Sequence, residues 1–237
     1  MSSIAYHYAE SSRMELVLSH AAARHYPWHI HAGHWSIGLV LSGSVTLGTK
    51  DATRMLGSGE CFAVPPRAAH WLDVAPQSSL AVLCIDAEQM ETAAEDFFRL
   101  AATTLSARDI DQLESYALVA RAAPFSAAEP ASSGLPEIIR RLIERPEDPF
   151  SVPEMAALAG VSHWHFLRRF RAETGMTPHA FQLASRMRRA RLLLRKNTAA
   201  ADTAAAAGFA DQSHMHKVFK FHHGLTPRQF LAASFRM

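Results

Sequence analysis

A phrase repeated at an interval of about fifty residues constrains this chain more than any other feature. The first copy, SVPEMAALAGVSHWHFLRRFRAETGMTP, runs from Ser151 to Pro178. The second, AADTAAAAGFADQSHMHKVFKFHHGLTP, runs from Ala200 to Pro227. Each copy opens on an alanine-rich stretch and breaks at a glycine, Gly160 or Gly208. Each continues in a basic, aromatic stretch and closes on G-M-T-P or G-L-T-P. Two short helices around a tight turn form the helix-turn-helix pattern, whose second helix fits a DNA major groove.

The spacing supports this element by element. In the first copy Ser162 begins the second helix, and Gly175 follows its last residue, where a left-handed cap needs no Cβ. Phe166, Leu167 and Phe170 recur at helical spacing toward a core, while His163, Trp164, Arg168, Arg169 and Arg171 remain for the outside. In the second copy Asp211 is the N-cap, Met215, Val218 and Phe219 are apolar, and Gln212, Ser213, His214, His216, Lys217 and Lys220 face outward. Thr177 to Arg195 reads as one connecting helix, roughly 28 Å long at about 1.5 Å per residue. Major grooves on one DNA face recur every ~34 Å, so such a helix can hold two recognition helices in neighbouring grooves.

Charge is distributed accordingly. Residues 135–237 hold 16 Lys and Arg against 8 Asp and Glu, a net of +8, and residues 1–134 hold 8 against 14, a net of −6. The whole-chain +2 therefore hides a basic C-terminal domain with the electrostatic footprint of a phosphate binder.

The N-terminal part follows another pattern. Short apolar runs such as SIGLVLSGSVTLG, HWLDV and SLAVLCID alternate with turn signals, which predicts an all-β barrel or sandwich. The resulting division is a β-barrel over 1–87, a helical dimerisation segment over 88–121, a Pro/Ser/Ala linker over 122–134 and a DNA-binding domain over 135–237. A chain of 237 residues suits two domains that each bury a core. No apolar run approaches the roughly 20 residues of a membrane span, and the start lacks a basic-then-apolar leader pattern. Cys61 and Cys84 give neither a disulfide framework nor metal-finger spacing, consistent with a reducing cytoplasm.

Histidines gather in the β region: His29, His31 and His34 near one another, and His70 later. On a strand His29 and His31 share a face, and His70 from another strand completes a facial set for a divalent transition metal such as zinc, nickel, iron or manganese. His34 joins only if a bulge or bend at Ala32-Gly33 flips the parity and also turns Ser36 and Gly38 inward. Trp28, Trp35, Phe62 and Trp71 lie beside these histidines in sequence and are candidate walls of a small-molecule pocket.

From about Leu135 onward the chain resembles the DNA-binding domain of the AraC/XylS family of bacterial transcription regulators. The matching phrases are M-A-A-L-A-G-V-S, H-F-L-R-R-F-R-A-E-T-G-M-T-P, R-R-A-R-L-L-L, G-F-A-D-Q-S-H and G-L-T-P-R-Q-F. The resemblance implies contact with two adjacent major grooves of double-stranded DNA. The carried-over DNA-binding positions are His163, Trp164, Leu167, Arg168 and Arg171, then Gln212, Ser213, His214, His216 and Lys217. Arg168 can fork onto guanine and Gln212 can pair with adenine. The second copy departs from the family pattern at His223, usually large and apolar, at Phe221, usually basic, and at Ala200 and Thr203, usually branched aliphatics. A weakened second core is the consequence to check.

The β region resembles the two cupin motifs, through H-x-H at His29 to His31 and the Gly59, Pro65 and His70 spacing. This implies a small β-barrel whose mouth holds a ligand or metal. Ser36 stands where the first motif usually offers a glutamate, and Arg67 where the second has glycine. The expectation is an α+β multidomain, cytoplasmic, nucleoid-associated regulator. It binds DNA as a homodimer, responds to a small molecule or metal, engages RNA polymerase, crosses no membrane and is no enzyme. The alternative is a cupin-type metalloenzyme, a dioxygenase or isomerase, carrying a DNA-binding module. The missing carboxylate at Ser36 weighs against it.

Overall fold

The structure, a computed structural model, describes residues 3–9, 14–31, 33–86, 105–106, 108–110, 113 and 134–236. Backbone contacts divide the chain into two units. One consists chiefly of residues up to 125 together with 232–237, the other chiefly of residues 126–231.

The first unit is built on strands β1 (Ser3–Ala9), β2 (Met14–His20), β3 (Arg24–His29), β4 (His34–Ser42), β5 (Ser44–Thr49), β6 (Thr53–Gly57), β7 (Cys61–Val64), β8 (His70–Val74), β9 (Ser79–Asp86) and β10 (Ser234–Arg236). They form two open sheets, ordered β10-β1-β2-β9-β4-β7 and β3-β8-β5-β6. The expected closed barrel is therefore corrected to a jelly-roll-like pair of sheets. The reason is that β3, β4 and β5, successive in sequence, change sheet at each connection. Gly43 makes the second change at φ +75, and a Cβ there would lie 2.2 Å from Ser78 Oγ and 2.9 Å from Ser78 Cα. Only glycine combines that φ with that space. Ser78 Oγ also accepts the Ser44 N–H at 2.9 Å, fixing the corner.

Alternation along β4 separates two cores. Ile37 and Leu39 pack with Met14, Leu16, Leu83 and Ile85 on one face. Val40 packs on the other with Val45, Leu56, Phe62, Leu72 and Val74, drawn from both sheets. Gly38 belongs to this inner face, and a Cβ on it would lie 2.1 Å from the Phe62 ring. The expected helical segment 88–121 and linker 122–134 lie almost entirely outside the described residues. Within that segment, Ile110 and Leu113 are buried against the first core with Leu105 beside them. The parallel pairing of β10 with β1, Tyr6 opposite Ser234, was not anticipated, because such a contact joins the two ends of the chain.

The second unit is helical: α1 (Leu135–Glu144), α2 (Val152–Leu158), α3 (His163–Thr174), α4 (Pro178–Arg195), α5 (Ala200–Ala206), α6 (Gln212–His223) and α7 (Pro227–Ala232). The termini follow side-chain chemistry. Ser151 and Glu154 form a reciprocal capping box on α2. Ser162, Thr177 and Asp211 accept N–H bonds at the starts of α3, α4 and α6. α3 and α6 end on left-handed Gly175 and Gly224, at φ 74 and φ 63. Phe166, Phe170 and Phe181 fill the first repeat's core, and Met215, Phe219 and Phe230 the second's. α4 buries Phe181, Ala184, Met187, Ala190 and Leu194.

The weak points anticipated in the second repeat are compensated. The His223 ring lies 4.6 Å from Phe219 and 6.3 Å from Phe230, filling the apolar slot as an aromatic. Thr203 is wholly buried, and its Oγ1 donates to the Thr198 carbonyl at 3.3 Å.

Candidate nucleic-acid interface and histidine cluster

α3 and α6 are matched surfaces. Offset by 49 residues, Ser162 corresponds to Asp211, Arg168 to Lys217 and Arg171 to Lys220. The caps orient both helices in the same way, so each presents one face to its core and the other outward. On α3 His163, Trp164, Arg168 and Arg171 are exposed, Trp164 by 80%, and Leu167 is half-buried. On α6 Gln212, Ser213, His214 and Lys217 are exposed and His216 is half-buried. The His163 ring meets Trp164 edge-on at 5.5 Å, and His214 meets Phe209 at the same distance. These contacts narrow the rotamers of the exposed rings.

The positive charge sorts into two kinds. Arg140 and Arg141 bind Glu137, and Arg189 pairs with Glu147. Both guanidiniums hold the Glu137 carboxyl down at about 2. Arg186 Nε donates to the Pro146 carbonyl at 2.7 Å, and Arg188 donates to the Ile143 carbonyl at 3.3 Å. Burial lowers the pKa of both arginines. These groups fasten α4 to the end of α1 and the loop after it. Among the described residues, no ion pair engages Arg168, Arg171, Lys217 or Lys220. The exposed basic groups of α3 and α6 are therefore available to an anionic partner. A sequence count weights all arginines equally and misses this division.

His29 closes β3, His31 follows it and His70 opens β8. One ring nitrogen from each lies within 4.8 Å of the others. The His29 and His31 rings meet edge-on at 5.2 Å. His70 is 1% exposed, and its Nδ1 donates to the Ala68 carbonyl at 3.1 Å. That bond fixes the tautomer in which Nε2 carries the lone pair a metal uses. Ligation at ~2.0–2.1 Å requires the three nitrogens to draw somewhat closer. The donor set fits a divalent transition metal.

His34 opens β4 in the other sheet and is not one of the three grouped histidines. Ser36 is buried, with its Oγ 3.8 Å from Cys84 Sγ, and brings no carboxylate.

The aromatic pocket is corrected. Trp71 alternates with His70 along β8 and lies on the opposite face, over Gly48, where a Cβ would meet its ring at 2.0 Å. Phe62 is a core residue over Gly38. Trp35 packs with Ile37 and Leu39 on the outer face of the first sheet. Trp28 is half-buried. These side chains do not share one wall, because neighbours in sequence on a strand face opposite ways.

Comparison with known proteins agrees with both units. Residues 155–233 match the helix-turn-helix domain model, and residues 17–86 match the cupin domain model. The chain carries a helix-turn-helix domain and a cupin domain. It is 33% identical over 97 residues to the HTH-type transcriptional regulator MtrA of Neisseria gonorrhoeae, covering 40% of this chain and 32% of that protein. It is 38% identical over 90 residues to the bifunctional transcriptional activator/DNA repair enzyme Ada of Escherichia coli K12, covering 38% of this chain and 25% of that protein. The chain thus spans about a third or less of these relatives. In fold, it is similar to unsaturated fatty acid-bound wild-type ToxT from Vibrio cholerae, at a TM-score of 0.58 and 10% identity over 92% of this chain and 94% of that one. This shows a shared two-domain architecture.

Proposed function

We propose that the protein is a sequence-specific DNA-binding transcription regulator whose cupin domain responds to a small molecule or a metal. The observation that carries this is the pair α3 and α6, each capped by a side-chain oxygen at its start and a left-handed glycine at its end, and each bearing exposed basic groups not engaged in ion pairs. Names of relatives, transcriptional regulators matched over the helical domain, support it. His163, Trp164, Leu167, Arg168 and Arg171 of α3, with Gln212, Ser213, His214, His216 and Lys217 of α6, are the groups assigned to DNA.

In the cupin domain, His29, His31 and His70 would hold a divalent ion, which supplies a fixed positive charge that can be sensed. His70 is held in its ligating tautomer by Ala68, and His29 and His31 adjust to it. The protein acts in the cytoplasm as a homodimer and communicates with RNA polymerase. Ser36 in place of a carboxylate favours sensing over cupin enzymology.

Selection of binding DNA from a random library with the full chain tests the reading. The outcome expected is a discrete enriched sequence bound at least about 10³-fold more tightly than random DNA at physiological salt. Recovery of unenriched DNA, bound equally, would overturn it.

A further inference from the structure

Phe221 stands out on α6. It is 65% exposed, although its equivalent in the first repeat is Ala172. Helix geometry, about 100° per residue, places it roughly 20° from His214 and 40° from Lys217 around the axis. The three form a single outward stripe at i, i+3 and i+7, with Lys220 adjoining, on the side away from buried Met215 and Phe219. The edge contact between the rings of Phe221 and His222, 5.4 Å between centroids, braces the phenyl from behind.

From this placement we infer that Phe221 is a specificity-determining residue that reads a thymine by apolar contact with its 5-methyl group. The inference rests on the DNA-binding reading. A phenyl ring flanked by Lys217 and Lys220 is drawn to a polyanion surface. The only apolar group a base offers in the major groove is the thymine methyl. A lysine at this position would add a phosphate contact carrying no sequence information. Phenylalanine gives up that contact and gains a base preference. Exposure of the ring in the free protein means that its desolvation is realised on binding, where it favours the sequence that covers it.

The test uses the full chain and the DNA enriched from a random library. Each thymine of the enriched site is replaced in turn by uracil, which removes only the methyl. The expected result is one position at which the wild-type protein loses about four-fold, the worth of one buried methyl. At that position Phe221→Ala should be insensitive. Phe221→Ala should also bind the intact site about ten-fold more weakly while binding random DNA as before. Phe221→Lys should restore affinity without restoring thymine preference, and steepen the log affinity against log salt slope by about 0.9. Equal losses on specific and random DNA, or a uracil response unchanged by Phe221→Ala, would overturn the inference while leaving the DNA-binding reading intact. Failure of the wild-type protein to enrich any sequence would instead remove the reading on which it rests. Phe221 is exposed, so these substitutions leave the α6 core untouched, and circular dichroism checks that.

Discussion

His223 packs at a tilt against Phe219, 4.6 Å between ring centroids, at the position that Thr174 holds in the first repeat. Thr174 meets the same demand differently. Its Oγ1 donates to the Phe170 carbonyl at 2.7 Å and accepts the Met176 N–H at 3.2 Å. One slot is thus closed by hydrogen bonds and the other by an imidazole used as an aromatic. Burial, with the charge of Arg191 next in weight, pushes the His223 pKa well below its ordinary value.

The second repeat should consequently be acid-sensitive. A histidine whose pKa falls on folding binds protons in the unfolded state first. Its contribution to stability is complete above the unfolded value of about 6.5 and is lost as pH falls below that value toward the folded one. His223→Phe should flatten this dependence, raising the thermal midpoint more at pH 5 than at pH 8. An equal shift at both pH values would show that His223 titrates alike in both states.

Gly43→Ala should destabilise the cupin unit by about 2–5 kcal/mol, combining left-handed strain with overpacking against Ser78. The midpoint of denaturant unfolding, followed on the full chain, reads it. A change within a few tenths of a kcal/mol would mean that the β4-to-β5 corner relaxes freely.

Two arginines should separate cleanly. Arg168→Ala should weaken specific DNA binding by about 1–3 kcal/mol and relax preference at one base pair, with little effect on stability. Arg186→Ala removes the bond to Pro146 and should lower stability by about 1.5–3 kcal/mol. Titration of DNA and thermal melting of both variants check the pair, and exchanged effects would reverse the two roles.

The histidine cluster should bind its ion in a pH-dependent way. Ligation needs neutral imidazoles, so affinity should fall as pH drops through about 6.5. His31→Ala should lose the metal and the transcriptional response together. Elemental analysis and a reporter assay measure both. A normal response with no metal retained would transfer sensing to an organic ligand.

The helical unit was legible because its signals are local. Ser162, Thr177 and Asp211 each cap the helix that starts beside them. Gly175 and Gly224 each end the helix just before them, and apolar spacing identifies Phe166, Phe170, Met215 and Phe219. The histidine trio was legible too, since motif spacing carries His29, His31 and His70 to one place. The aromatic pocket was not. Trp35 and Trp71 take their faces from strand parity and from the sheet each strand joins, which composition does not encode. The structural arginines were hidden for a similar reason: Arg186 is defined by a carbonyl 40 residues earlier. The β10–β1 pairing joins opposite ends of the chain and leaves no local trace.

The most direct test is the salt dependence of the full chain's binding to its selected DNA. Among the described residues, no ion pair engages Arg168, Arg169 or Arg171 on α3, or Lys217 or Lys220 on α6. If Arg171 and Lys220 are among the groups that meet phosphates, log affinity falls linearly against log salt, with a slope of about −0.9 per contact. Removing Arg171 and Lys220 together should make the slope shallower by about two contacts while leaving the preferred sequence unchanged. A flat salt response, or a slope indifferent to those two residues, would contradict the assignment of α3 and α6 to DNA.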